Sequence, residues 1–278
     1  MKCDFHTHTN HSDGSYSAKE LVAAAKEKNL IIALTDHNTV TGLSEFLSEA
    51  ARLGVTAIGG SELTTEYKGR EFHLIGLFIK PEHYDELESL CQRFLHMKQQ
   101  SNIDLVNKLC DLGYKLDFEK IKSRNVKGNV NRAHIAAELV ENGYVSSVKE
   151  AFSTLLEERC GLYTPAKRLE LRDGISFLNS IGAISILAHP LKDISYDELR
   201  NMLYEIKDAG LLGIETMHSS YSDEDIAVSK EFAKEFGLLE SGGSDFHGLV
   251  KPDVELGVGK GNLNITEEYY QKLLDAIN

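Results

Sequence analysis

Short apolar runs alternate with helical periodicity in the first part of the chain. Strands are predicted at Lys2–Phe5, Ile31–Leu34 and Val55–Gly59, and helices are predicted between them near Ala18–Lys28 and Thr41–Leu53. Strands that alternate with helices in this way are typical of βαβ units, whose strands run parallel. The pattern therefore predicts an α/β domain built on a parallel sheet.

A hairpin is predicted next, with Glu62–Tyr67 and Arg70–Ile79 on either side of Lys68 and Gly69. Strand-like runs then return late in the chain, and helices separate them. The predicted strands are Ala183–Leu187, Gly213–Thr216 and Leu238–Ser241, and the helices lie near Tyr196–Ala209 and Asp223–Phe236. A total of about seven strands in a chain of 278 residues suits an α/β barrel.

The segment between the two strand-rich regions carries almost only helical periodicity. Its apolar positions include Leu87, Leu90, Cys91, Phe94 and Leu95. A helical segment that interrupts a barrel pattern is best explained as an insertion. We therefore predict a barrel formed by residues 1–81 and 166–278, and a helical insertion at residues 82–165 that covers the active site.

The charge balance narrows the classes of partner. The 30 basic and 43 acidic residues give a net charge of −13, which opposes the binding of long duplex nucleic acid. No signal peptide and no apolar stretch of membrane-spanning length is apparent, so we expect a cytoplasmic protein that does not bind membranes. The four cysteines form no CxxC pair, which favours reduced thiols.

Histidines and carboxylates follow nearly every predicted strand. They are His6, His8, Asp13, His37, Glu62, His73, His189, Asp245 and His247. In parallel barrels the functional residues collect at the carboxyl ends of the strands, so these side chains are expected to meet. Imidazole and carboxylate groups without thiolates are typical ligands of manganese, iron or zinc.

Six short motifs together resemble the polymerase and histidinol phosphatase family, or PHP family. They are DFHTHTNHSDG at 4–14, LTDHN at 34–38, GGSEL at 59–63, FHLIG at 72–76, LAHP at 187–190 and GGSDFHG at 242–248. The resemblance implies a distorted barrel of seven β/α units that holds two or three divalent metal ions. It also implies three ligand sets: His6, His8, Glu62 and Asp245; Asp13, His37 and His247; and His73 and His189 with Glu62 bridging.

The resemblance further implies hydrolysis of a phosphate ester by a hydroxide that bridges two metals. Glu62, Asp13 and Asp245 are the predicted catalytic carboxylates, because they hold the metals that carry the hydroxide. The metals would absorb the negative charge that develops on phosphate. The neighbouring Asp36 is predicted either to be a ligand or to orient an imidazole.

Four further residues are predicted to bind substrate. Arg132 and His134 lie in the segment Asn131-Arg132-Ala133-His134, which opens a predicted helix, and helix starts favour anions. Similar members of the family carry Arg-Pro-His in this segment, and Ala133 replaces the proline here. Lys167 is a weaker candidate for the same phosphate pocket, and His218 follows a predicted strand closely enough to reach the site.

The helical insertion most resembles that of PHP members that act on nucleoside 3′,5′-bisphosphates or short 5′-phosphorylated RNA. A small phosphorylated nucleotide or short oligonucleotide is therefore the predicted substrate. Histidinol phosphate is the alternative within the family. An amidohydrolase that cleaves C–N bonds and a metal-stabilised structural module without catalysis are the alternatives outside phosphoester hydrolysis.

Overall fold

A computed structural model describes residues 1–124 and 130–277 of the chain. They form two compact units, Met1–Cys91 with Leu169–Asn278, and Gln92–Arg168. The strands are β1 (Lys2–Asp4), β2 (Leu30–Leu34), β3 (Ala57–Tyr67), β4 (Arg70–Leu77), β5 (Leu169–Glu170), β6 (Ile184–Ala188), β7 (Gly213–His218) and β8 (Leu239–Gly243). The α-helices are α1 (Ala18–Glu27), α2 (Leu43–Leu53), α3 (Tyr84–Asp111), α4 (Phe118–Ser123), α5 (Arg132–Glu141), α6 (Val148–Ala151), α7 (Leu171–Ser180), α8 (Tyr196–Ile206), α9 (Asp223–Phe236) and α10 (Glu267–Asp275).

The first unit is a nearly closed barrel of seven strands with flanking helices. The strand order is β1-β2-β3-β4-β6-β7-β8, and the short β5 pairs with β3 outside this path. Strand β4 runs antiparallel to both neighbours, β3 and β6, and the other barrel pairs are parallel. The predicted distorted α/β barrel is therefore confirmed.

Backbone hydrogen bonds join the two ends of the sheet. Phe5 N donates to Gly242 O at 3.1 Å, and Asp245 N donates to His6 O at 2.9 Å. A side chain at Gly243 would approach the Cβ of His6 to 2.3 Å, so glycine is required where β8 passes β1. The closure brings the first and the last of the six sequence motifs side by side.

The barrel interior is filled by aliphatic side chains from its strands and from the segment before α10. Ile31, Ile75, Ile186 and Ile265 belong to this buried cluster. Burying one such side chain contributes about 1.5–3 kcal/mol relative to leaving it in water. The apolar runs predicted as strands thus supply the core, and the polar residues that follow them are left for the site.

The helical unit has its own core, to which Leu105, Leu109, Ile135 and Leu139 contribute. Beside it lies the buried carboxylate of Glu138, which accepts hydrogen bonds from Lys120 at 2.7 Å and Arg124 at 2.6 Å. A buried charge is tolerated when it is paired in this way. The three residues therefore tie α4 to α5.

Three predicted strands, in and before the hairpin, differ in the structure. Val55–Gly59 and Glu62–Tyr67 were predicted as separate runs, but one strand, β3, passes through Gly59 and Gly60 without a break. Strand β4 ends at Leu77 rather than Ile79, because Phe78 takes a φ of 62° that no strand continues. Helices α7 and α10 had not been predicted at all.

The unit boundaries lie at 91/92 and 168/169 rather than at 81/82 and 165/166. The first turns of α3 stay with the barrel because Leu87 is buried and Glu88 accepts hydrogen bonds from Thr39 and from the Val40 amide. At the second boundary, Leu169 begins β5 and pairs with Thr65 of β3. That the insertion covers the active site stays a prediction.

Two smaller observations complete the description. All four cysteines, at positions 3, 91, 110 and 160, are free thiols. Across residues 1–124 and 130–277, no helix is long and apolar enough to cross a membrane.

Candidate metal centre

Side chains able to bind a metal ion collect where the barrel strands end or change direction. His6 and His8 follow β1, His37 follows β2, and Asp245 and His247 follow β8. Glu62 of β3 and His73 of β4 lie on adjacent strands, with 2.9 Å between Glu62 Oε1 and His73 Nδ1, and His189 directly follows β6. Strand β4 runs antiparallel, so its first residues lie beside the carboxyl ends of β3 and β6 and bring His73 into the same cluster.

All nine predicted ligands come together in four overlapping groups, within each of which the ligand atoms lie within 4.8 Å of one another. The groups are His8, Asp13, His37 and His247; His6, Glu62 and His189; His6, His8 and Asp245; and His37, Glu62 and His73. The grouping differs from the one implied by the family resemblance, because His8 also lies with Asp13 and His37 also lies with Glu62. That these residues bind metal stays a prediction.

The donor set fits divalent ions. Buried nitrogen and oxygen atoms of His6, His8, Glu62 and His73 have no hydrogen-bond partner. The Nε2 atoms of His6 and His8 nevertheless lie 3.1 and 3.3 Å from Glu62 Oε2. Ligands that sit about 2.1 Å from one ion are separated from each other by about 3 Å. The unsatisfied atoms therefore converge as metal ligands do.

Glu62 lies at the centre of the cluster and is completely buried. Its Oε1 is 2.9 Å from His73 Nδ1 and 3.1 Å from His189 Nε2, and its Oε2 is 3.0 Å from His37 Nδ1. Burial alone would raise the pKa of Glu62, but the surrounding imidazoles hold that pKa well below its usual value. Glu62 is therefore an anion with a ligand oxygen for each side of the cluster.

The pKa values of two neighbouring imidazoles, His73 and His37, are shifted in opposite directions. Burial opposes protonation of His73, but the Glu62 carboxylate outweighs it and raises the pKa of His73 to about 10. Burial lowers the pKa of His37 to about 4 and keeps this imidazole neutral. Histidine binds a metal as the neutral imidazole, so a metal at His73 must displace a proton, and one at His37 need not.

Hydrogen bonds fix the ring nitrogens that are available to a metal. His6 Nδ1 donates to Glu215 Oε1 at 2.9 Å, and His247 Nδ1 donates to the carbonyl oxygen of Asp245 at 2.8 Å. In the neutral form that binds a metal, each ring would therefore present an unprotonated Nε2, which lies 3.1 Å from Glu62 Oε2 in His6 and 3.2 Å from Asp13 Oδ1 in His247. Carboxylate or carbonyl partners of this kind are usual behind metal-binding histidines.

Glu215 is a functional residue that the sequence analysis missed. It is fully buried within β7, and its Oε2 accepts a hydrogen bond from the His189 backbone N–H at 2.7 Å. His189 has a φ of 31°, a strained value for a non-glycine residue, which the carboxylate helps to hold. A charged residue inside the apolar run Gly213–Thr216 was the signal that could have found it.

We expect Glu215→Gln to weaken metal binding by about 10–100-fold, because the amide presents no charge to His6 Nδ1–H. Titration of the metal-free variant with Mn²⁺ measures the change. Glu240→Gln, at a partly buried carboxylate of β8 that contacts Tyr269, is the matched control. Equal metal affinity in both variants would contradict the role assigned to Glu215.

Asp36 does not orient an imidazole. Its Oδ1 accepts hydrogen bonds from Thr9 N at 2.8 Å and from Ser12 Oγ, and its Oδ2 accepts one from Thr9 Oγ1. The sequence prediction for this residue is corrected accordingly. Asp36 instead shapes the loop between His8 and Asp13, and so positions Asp13 for the cluster.

Asp245 presents its two oxygens to different surroundings. Oδ1 lies 3.3 Å from His8 Nε2 and 3.4 Å from His247 Nδ1, whereas Oδ2 lies 2.7 Å from Lys251 Nζ and 3.5 Å from His218 Nε2. The backbone of Asp245 takes a φ of 57°. Oδ1 therefore faces two predicted ligands, His8 and His247, whereas Oδ2 faces the donors Lys251 and His218.

His218, the last residue of β7, lies in the barrel unit next to this carboxylate. The Ser220 backbone N–H donates to its Nδ1 at 3.2 Å, so the neutral ring carries its proton on Nε2. Burial lowers the pKa of His218, although hydrogen bonding to Asp245 opposes that effect. The buried Nε2–H is therefore a neutral hydrogen-bond donor that lies 3.5 Å from Asp245 Oδ2.

The other predicted substrate residues belong to the helical unit. The guanidinium of Arg132 lies 4.2 Å from the Tyr163 ring centre and 5.7 Å from that of Phe152, and donates to Leu156 O at 3.1 Å. His134 accepts a hydrogen bond from the Asn131 N–H on Nδ1 at 3.1 Å, within the capping box of α5. Lys167 is exposed.

Comparison with known proteins places the chain in a family. Residues 4–162, more than half of the sequence, match the PHP domain. The chain is a member of the PHP family. A 5′-3′ exoribonuclease of Haemophilus influenzae is 31% identical over 248 residues, which is 88% of this chain and 90% of that protein.

Two other relatives of the PHP protein are 28% identical to it. A phosphoribosyl 1,2-cyclic phosphate 1,2-diphosphodiesterase of Eggerthella lenta matches over 88% of this chain and 94% of its own length. A 3′,5′-nucleoside bisphosphate phosphatase of Chromobacterium violaceum matches over 88% of this chain and 86% of its own length. A solved Chromobacterium violaceum structure described as an amidohydrolase with bound sulfate shares the fold, with a TM-score of 0.73 and 24% identity over 99% of this chain and 97% of that chain.

Proposed function

We propose that this PHP protein is a metal-dependent phosphoesterase that hydrolyses phosphate esters of small nucleotides, either nucleoside 3′,5′-bisphosphates or short 5′-phosphorylated oligonucleotides. The chain is a hydrolytic enzyme of the phosphoesterase class, since the three relatives all act on phosphate esters or phosphodiesters. The observation that carries the proposal is the convergence of buried, unsatisfied ligand atoms on Glu62. Buried polar groups normally have partners, and bound ions would supply partners for these atoms.

We assign the metal-binding role to the nine residues predicted from the sequence, with two or three ions of manganese, iron or zinc. Divalent ions bound there would supply Lewis acidity toward phosphate oxygens and lower the pKa of water. The three carboxylates Glu62, Asp13 and Asp245 hold and orient that centre. Glu215 keeps His6 in the tautomer whose Nε2 is available, and His218 offers its Nε2–H to a substrate oxygen.

The phosphate-binding role is proposed for Arg132 and His134, with Lys167 as a further contact. Stacking on Tyr163 restrains the guanidinium of Arg132, which lowers the entropy lost when it binds an anion. The hydrogen bond from the Asn131 N–H leaves His134 Nε2 as the nitrogen that carries the proton. Both residues thus present N–H donors, the groups that phosphate oxygens require.

The experiment that tests the proposed function is hydrolysis of a panel of esters by the manganese-loaded enzyme, with the products separated by chromatography. Inorganic phosphate is the product expected from a monoester, a mononucleotide from RNA, and a ring-opened phosphate monoester from a cyclic diester. The panel contains a nucleoside 3′,5′-bisphosphate, a short 5′-phosphorylated RNA, histidinol phosphate and a cyclic ribose 1,2-phosphodiester. Turnover of the first or second at the highest kcat/KM supports the proposal. Preference for either of the last two would replace the substrate class and keep the phosphoesterase chemistry, whereas hydrolysis of cyclic amides alone would refute that chemistry.

Arg132→Ala is expected to raise KM for the preferred substrate by about 10–100-fold, since a hydrogen bond to a charged group contributes about 1.5–3 kcal/mol. Arg159→Ala is the matched control, because Arg159 lies in the same unit but is exposed and pairs with Glu157. Steady-state kinetics and thermal melting of both variants make the comparison. A KM that rises equally in the two variants would remove Arg132 from the substrate site.

A further inference from the structure

Lys251 lies beside the candidate metal centre and was not predicted to have a function. Its Nζ donates to Asp245 Oδ2 at 2.7 Å, and its side chain is 35% exposed while that of Asp245 is 8% exposed. The ammonium therefore stands on the solvent side of a predicted metal ligand.

The loop that carries Lys251 is held in place. Ser15 Oγ accepts a hydrogen bond from Leu249 N at 2.8 Å, and the Lys251 N–H donates to Gly248 O at 3.2 Å. Gly248 has a φ of 64°, and a side chain there would approach Ser15 Oγ to 2.2 Å. The close packing of this loop against Ser15 fixes the starting point of the lysine side chain.

The charges at the candidate metal centre suggest a role for the ammonium group of Lys251. The carboxylates of Asp13, Glu62 and Asp245 and the buried Glu215 offset part of the charge that divalent ions would bring. Lys251 adds one positive charge at the edge of this cluster, where a phosphate monoester would bring a charge of about −2. Because the whole chain carries −13, this positive charge must be supplied locally.

We propose that Lys251 binds a non-bridging oxygen of the substrate phosphate next to the metal centre, exchanging its contact with Asp245 Oδ2 for the phosphate. The inference deepens the proposed function, on which it rests for the presence of a phosphate. The flexible four-carbon stem and the exposure of the side chain allow the exchange without movement of the loop. Lys251 is then a binding residue of the barrel unit, independent of Arg132.

A structural role is the alternative, in which Lys251 only orients Asp245. The two roles separate in two measurements on full-length protein: metal content by elemental analysis, and the affinity of the manganese-loaded protein for inorganic phosphate by calorimetry. The variants are Lys251→Met, which keeps the stem, and Lys251→Arg, which keeps the charge. Lys260→Met is the matched control, since Lys260 is an exposed lysine nearby in sequence that pairs with Asp253.

We expect Lys251→Met to retain its metal and to bind phosphate at least about 10-fold more weakly, with Lys251→Arg restoring much of the affinity and Lys260→Met unchanged. Loss of metal with unchanged phosphate affinity per loaded site would overturn the inference, as would unchanged affinity with full metal content or a wild type that binds no phosphate. The binding test uses inorganic phosphate, so its result does not depend on which ester the enzyme hydrolyses. If no nucleotide were hydrolysed, the proposed substrate class would be refuted, but a phosphate affinity that depends on Lys251 would still support this inference.

Discussion

Glu62→Gln is expected to lower turnover by at least about 10³-fold and to leave the protein with less bound metal. Glu62 presents one oxygen to His73 and His189 and the other to His6, His8 and His37, so one substitution removes a charge shared by both sides of the cluster. Metal centres stabilise the transition state of phosphoryl transfer by several kcal/mol, and about 1.4 kcal/mol corresponds to a factor of ten. Steady-state kinetics and elemental analysis measure the two effects.

The control for this variant is Glu240→Gln, which removes a partly buried strand carboxylate outside the cluster. It is expected to keep its metal and its turnover within about twofold of wild type. Glutamine is nearly isosteric with glutamate, so the barrel should fold in both variants, which circular dichroism checks. Full activity in Glu62→Gln with a normal metal content would refute the assigned metal centre.

Removal of metal by a chelator is expected to abolish phosphate release and to lower the melting temperature by on the order of 10 °C. A ligand at about 1,000 times its dissociation constant stabilises the folded state by about 4 kcal/mol. Each kcal/mol of stability changes the melting temperature of a protein of this size by about 2–4 °C. The buried imidazoles and carboxylates would then face one another without the ions that satisfy them. Differential scanning calorimetry with and without chelator measures the shift.

Glu62→Gln provides the internal comparison for this result. If metal is what stabilises the cluster, chelation should lower the melting temperature of this variant much less than that of wild type. Restored manganese should recover both stability and activity of the wild-type protein. An identical shift in both proteins would indicate that the chelator acts elsewhere.

The positions of the candidate ligands followed from the sequence, because each lies where an apolar run gives way to polar residues. His6, His8 and Asp245 are examples. Barrel closure places Asp245 Oδ1 at 3.7 Å from His6 Nε2 and at 3.3 Å from His8 Nε2. A histidine at the end of a buried strand can be predicted from local pattern alone. The partner that it faces across the barrel cannot, since that depends on strand order and stagger.

The residues that hydrogen-bond to the predicted ligands, or to the loop that carries them, were harder to predict. Glu215 was overlooked because its sequence neighbourhood reads as an ordinary apolar strand, and its partners His6 and His189 lie 209 and 26 residues away. Asp36 was predicted either to be a ligand or to orient an imidazole, but its carboxylate accepts hydrogen bonds from Thr9 and Ser12 in the loop that follows His8. Hydrogen-bond direction is a property of side-chain rotamers, which spacing along the chain does not encode.

The sequence by itself determined the α/β barrel and the chemistry of its strand ends. Alternating apolar runs specify buried strands, and imidazoles and carboxylates gathered at the ends of barrel strands are typical metal ligands. Only the tertiary structure decided the antiparallel course of β4, the overlap of the ligand groups around Glu62 and the approach of Lys251 to Asp245. These features join residues far apart in sequence, and the distances between them are set by barrel closure and loop packing.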